Sequence, residues 1–127
     1  MAQKDEQLLL KDLCARLSYG VKVQYNNEIY NIDYISALYT EVKLDIPANY
    51  TIGIFEIKPY LRPMSSMTEE EKNEYLNTFK KSIIGTDEED GRVWTVDSID
   101  WLNAHHFDYR GLIEKGLALE APKEMYK

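Results

Sequence analysis

The stretch VKVQYNNEIYNIDYISALYTEVKLDIPANYTIGIFEI, residues 21–57, decides the architecture. Val21, Val23 and Tyr25 alternate with polar residues, and Asn26-Asn27 then supplies two residues that tolerate turn geometry. Tyr30, Ile32 and Tyr34 alternate again, as do Leu38, Thr40, Val42 and Leu44. A fourth run sets Ile52, Ile54 and Glu56 against Phe55 and Ile57, with Asp45–Asn49 as its connection to the third. A period of two is the mark of a strand with one face buried, because successive side chains point to opposite sides of a sheet. Four such runs joined by brief turns predict an antiparallel meander, or its closure into a small SH3-like barrel.

Helices are expected on either side. Leu9, Leu10, Leu13, Cys14 and Leu17 recur at spacings of three and four, while Lys11, Asp12 and Arg16 fall off that stripe. This predicts an amphipathic helix within residues 1–20, stopped by Gly20, with Cys14 a small buried hydrophobe on its apolar face. After the β unit, KPYLRPMSSM (residues 58–67) carries two prolines, which lack the donor a sheet interior needs, and reads as an extended strap.

A helical half, residues 68–121, follows. Thr68 and Glu71 have capping-box spacing, Glu69–Glu71 suit the positive helix end and Lys80-Lys81 the negative one. Tyr75, Leu76, Phe79 and Ile83 form the apolar face, and Gly85 ends it. An exposed acidic loop (Gly85–Gly91) and a short extended piece (Val93, Trp94, Val96) come next. A third helix, capped by Asp97 or Ser98, carries Ile99, Trp101 and Leu102 to about His106, and Asp108 caps a final turn stopped by Gly116. The tail, residues 122–127, is expected to fray. The sum is a single α+β domain.

The chain has 127 residues and a formal charge of −7, enough length to bury a core without disulfide or metal support. Its one cysteine excludes a disulfide framework, no apolar run is long enough to span a membrane, and Met1–Glu6 has no signal-peptide pattern. A cytoplasmic protein is expected. The acidic excess is two charges in residues 1–58 and five in residues 59–127, and Lys80-Lys81 is the sole adjacent basic pair. Nucleic acids and anionic membranes, which require clustered basic residues, are therefore not expected as partners.

Candidate chemistry is sparse. His105 and His106 are adjacent, so on a helix their rings diverge by about 100°, and a shared metal would want a spacing of three or four. Neither a metal nor another cofactor is expected. Residues 86–97 trace part of a calcium-loop outline, with Glu88, Asp90, Gly91 and Asp97 in register. However, Thr86 replaces its first aspartate and Asp97 is one methylene short, so a solvated acidic turn is the expectation. Ten tyrosines against three phenylalanines and two tryptophans are the stronger signal, since tyrosine favours half-buried sites and interfaces. Tyrosine, tryptophan and arginine gather in two clusters, Tyr60–Met64 and Trp101–Arg110, the mixture of binding hot spots. The same clusters could instead stitch the strap and the C-terminal helix onto the β unit.

The stretches LLLKDLCARL…YGVKV, KPYLRPMSSMTEEE and WLNAHHFDYRGLI…GLALEAP resemble a group of short uncharacterised proteins encoded by phages and integrated mobile elements of gut-dwelling anaerobic bacteria. The resemblance implies a bacterial cytoplasm and an accessory role, and brings no activity or cofactor with it. It marks Tyr60, Arg62, Trp101, His105, His106, Asp108, Tyr109 and Arg110 as a shared surface or fold signature, not as an active site. The expected function is capture of a host or phage protein through these residues, without catalysis. The alternative is a small ligand or nucleotide held between strap and C-terminal helix, with Arg62 or Arg110 meeting an anion. A metal-assisted hydrolase using His105, His106 and Asp108 ranks third.

Overall fold

Three successive antiparallel pairings, a meander, organise the sheet. The computed structural model describes residues 3–36, 38–47, 50–78, 85–87, 92–94 and 96–126. Helix α1 (Gln3–Arg16) leads into β1 (Lys22–Tyr25), β2 (Glu28–Ser36), β3 (Glu41–Leu44), β4 (Ile52–Gly53) and β5 (Lys58–Leu61). Then come α2 (Glu69–Thr78), β6 (Gly85–Asp87), β7 (Arg92–Trp94), α3 (Val96–Ala104) and β8 (Leu119–Glu120). The main sheet has the order β4-β3-β2-β1-β5-β8 and is antiparallel except for the parallel β5–β8 pair. The class is α+β, as the sequence pattern requires.

Asn26 and Asn27 stand at φ 54° and 66°, both left-handed, as a two-residue type I′ hairpin demands. The β2–β3 register shifts between Ile32 and Tyr34, so Asp33 and Tyr34 both reach solvent while Ile35 returns to the half-buried side. Among the described residues β4 and β8 are unpaired edges, and the sheet does not close into an SH3-like barrel. Helix α1 covers it instead: Leu9 and Leu13 pack into one core with Val23, Val42, Leu44 and Ile54. No helix among the described residues is long and apolar enough to cross a membrane.

Several expectations are corrected. Cys14 is exposed, and Asp12 and Arg16 are buried beside Leu9 and Leu13. A carboxylate and a guanidinium four residues apart satisfy one another on the inner face of the helix, so that face reads as polar in sequence. The strap begins as strand β5, with Pro59 opposite Val23. Antiparallel pairs alternate between bonded and non-bonded, and a proline fits the non-bonded kind because no donor is missed there.

Gly85 lies in β6, which pairs with β7 across Gly85–Trp94, rather than at a helix stop. Thr86 and Asp87 of the calcium-loop outline therefore belong to a two-stranded ladder, while Glu88–Gly91 lie outside the described residues, as do Phe79–Ile84 of the expected helix. Leu76 is 60% exposed rather than part of a buried face. Helix α3 starts at Val96, ahead of either expected cap.

Candidate functional site

The site is built from the end of α3. Phe107 N–H donates to the Leu102 carbonyl and His106 N–H to that of Asn103, the paired bonds of a Schellman motif. His106 takes the left-handed position usually given to glycine, at φ 63°. Leu102 and Phe107, both fully buried, supply the apolar contact that accompanies such an ending. The same arrangement ends the Leu112–Leu117 turn at Gly116, φ 76°, and Asp108 holds its start by accepting from the Leu112 and Ile113 amides at 2.8 and 3.0 Å.

Leaving α3, the chain runs alongside the strap. Arg62 N–H donates to the His106 carbonyl (2.7 Å) and Asp108 N–H to the Arg62 carbonyl (2.8 Å), a parallel bridge centred on Phe107. The Arg62 side chain lies over the Phe107 ring, 4.1 Å from its centroid, and grips Glu71 with two bonds of 2.8 Å. Glu71 also accepts from the Thr68 amide while Thr68 Oγ1 accepts from that of Glu71, completing the capping box. The Arg62 bonds, aided by the Thr68 amide, hold the Glu71 carboxyl down to about 2.

The residues after β8 cross in front of this frame. Ala121 N–H donates to the Leu61 carbonyl at 2.7 Å, and Tyr126 reaches back to the sheet. Its hydroxyl accepts from Lys22 N–H (2.9 Å) and donates to the Tyr60 carbonyl (2.7 Å). Extending the β1–β5 register pairs Lys22 with Tyr60, so the phenol sits where a ladder bond would otherwise run. The ring stacks on His106 at 3.6 Å and 15°. The tail is thus docked, not frayed.

Between the strap, the start of α2 and this segment lies an open groove of about 760 Å³. Arg62, Glu71, Glu70, Glu74, His105, Glu120, Lys123 and Tyr126 are on its walls. Arg62 and Glu71 cancel. Among the described residues, Glu70, Glu74 and Glu120 are in no ion pair, and Lys123 is the only other lysine or arginine on the walls. The groove is net negative. His105 stacks on Trp101 at 3.9 Å, and its Nδ1 lies 2.8 Å from the Trp101 carbonyl. A carbonyl only accepts, so Nδ1 carries the proton and Nε2 is left as an acceptor.

A second cluster lies behind. Asp12 is fully buried and accepts from Arg16 (2.8 and 3.1 Å) and from Arg110 Nε (3.0 Å), while Arg16 also donates to the Phe107 carbonyl at 2.6 Å. Tyr109 donates to Asn103 Oδ1, accepts from Arg110 and lies beneath both guanidinium groups.

The eight residues marked from sequence are therefore brought together only in part. Arg62, His105 and His106 border the groove; Tyr60 contributes a backbone carbonyl; Trp101 stacks between Tyr75, His105 and Phe107. Asp108, Tyr109 and Arg110 are engaged within the fold, and both Arg62 and Arg110 are matched to carboxylates. Among the described residues no three of His, Cys, Asp and Glu are placed to share a metal ion.

Sequence reading missed Glu70, Glu74, Glu120 and Tyr126. One local signal was present: Glu70 and Glu74 are like charges at i and i+4, which weaken a helix by about 0.2–0.5 kcal/mol. No protein-family model matches the chain, and no curated protein or solved structure does either.

Proposed function

We propose that this protein works by binding, accepting a lysine- or arginine-bearing segment of a partner protein into the groove and catalysing nothing itself. The observation that carries this reading is the set of Glu70, Glu74 and Glu120, three carboxylates that among the described residues are in no ion pair and border a groove of about 760 Å³. Glu70 and Glu74 repel one another on α2, a cost that a cationic guest removes. The acceptor nitrogen of His105 adds a neutral partner for a guanidinium or ammonium donor. Anion capture by Arg62 or Arg110 has less in its favour, since each guanidinium already faces a carboxylate. The partner we propose is a bacterial or phage protein, with this chain in an accessory role.

Fluorescence anisotropy with a labelled Lys/Arg-rich decapeptide tests this. Binding is expected to weaken with added salt, and to weaken about tenfold in the triple variant Glu70→Gln, Glu74→Gln, Glu120→Gln, at about 0.5 kcal/mol for each exposed contact. Equal affinity for an acidic decapeptide, or no effect of the triple variant, would rule the reading out.

A further inference from the structure

His106 is an unusual residue to bury. It is 7% exposed, its Nδ1 has no hydrogen-bond partner among the described residues, and one face is covered by Tyr126. The charges that disfavour a proton on it come from Arg16 on α1, Lys22 on β1, Arg62 beyond β5 and the neighbouring His105, while the groove it borders presents Glu70, Glu71, Glu74, Glu120 and Lys123. Asp12, the carboxylate buried in the adjoining cluster, already serves both Arg16 and Arg110. Among the described residues His106 is in no ion pair, so a proton on it adds a largely buried positive charge beside Arg16, Lys22 and Arg62, with the groove carboxylates only at its open edge.

The neighbour that covers the ring is the segment carrying Tyr126. Beyond that stack, it holds to the sheet through the two-residue β8 pair, the Ala121–Leu61 bond and the two phenol bonds. The geometry points to a proton-operated clasp: protonation of His106 drives off Tyr126, loosens residues 119–126 from β5, and opens the groove that they wall. This regulates the groove of the proposed function and rests on that reading for its consequence, but the clasp itself is tested without any partner.

Burial first, then the Arg16 charge, hold the imidazole down to about 4 from an ordinary 6.5. A released His106 takes up its proton near 6.5, so the clasped state is fully favoured above that pH and loses its advantage as pH falls toward 4. The full shift corresponds to about thirtyfold in the clasping equilibrium at pH 5, reduced to roughly tenfold by solvent screening at the groove.

Amide hydrogen exchange, read by NMR as protection factors between pH 7.5 and pH 5, provides the test. The Lys22 and Ala121 amides, which bond to Tyr126 and to Leu61, are expected to lose roughly tenfold in protection while the β2–β3 ladder keeps its own. In His106→Asn, a residue that accepts positive φ but does not titrate, the loss is expected to vanish. Unchanged protection at Lys22 and Ala121, an equal loss in His106→Asn, or a parallel loss in the β2–β3 ladder would each overturn the clasp. Peptide binding at pH 7.5 is independent of all three outcomes, so the clasp and the groove reading fail separately.

Discussion

Asp12 carries a full charge into the interior and meets it there with two arginines. Removing one member of a buried pair leaves an uncompensated charge, which is far costlier than never having buried the pair. Asp12→Ala is expected to lower stability by about 3–5 kcal/mol in urea unfolding. Tyr126→Phe is a milder test at the same scale. It keeps the stack on His106 but leaves the Lys22 amide and the Tyr60 carbonyl without their shared partner, and is expected to cost about 1–3 kcal/mol. A Tyr126→Phe protein as stable as the parent would show that the phenol bonds contribute nothing. The burial of Asp12 and Arg16 could not be read from periodicity, which scores charged residues as outward-facing. The correct signal was their spacing of four, and it is shared with ordinary surface pairs.

At the scale of elements, the capping box joins α2 to the strap. Thr68→Ala is expected to cost about 1 kcal/mol in thermal or chemical unfolding. Glu71 holds Arg62 and the Thr68 amide at once, and its carboxyl is depressed in the folded state from 4.5 to about 2. Its contribution is therefore present above 4.5 and lost as pH falls toward 2. Glu71→Gln is expected to remove the part of the acid sensitivity that lies between those values, measured by unfolding at pH 2.5 and pH 5. Arg62→Ala should destabilise the fold rather than merely weaken partner capture, since Arg62 binds Glu71 and covers Phe107.

Much at this scale was legible. Asn26-Asn27, the first two alternating runs, and the Thr68–Glu71 spacing are local codes that the chain obeys, whereas the third run is a strand only over Glu41–Leu44 and the fourth gives way after Gly53 to a 3-10 turn at Ile54–Glu56. Strand β5 was hidden because a proline counts against a strand unless its pairing site is known, and that depends on a partner 36 residues earlier. The docking of Tyr126 was hidden for the same reason, its hydroxyl bonding to a carbonyl 66 residues away.

On the whole molecule, two surfaces compete for the role of binding face. One is the acidic groove; the other is the far end of the β2–β3 hairpin, where Leu38 and Tyr39 are 82% and 69% exposed. Of the arginine–aromatic clusters read from the sequence as either a binding surface or internal stitching, Arg62, His105 and His106 border the groove. The structure turns most of their polar groups inward, and the groove's free charge comes from glutamates that looked like ordinary helix-end and surface residues. Charge decides between the surfaces, because the groove offers a cationic segment Glu70, Glu74 and Glu120, which among the described residues are in no ion pair. The most direct measurement is an NMR titration of the labelled protein at pH 7.5 with the Lys/Arg-rich decapeptide. The amide shifts are predicted to concentrate at Ser66, Glu70, Glu74, His105, Glu120 and Lys123. Shifts centred on Leu38 and Tyr39, or none at all, would contradict the account.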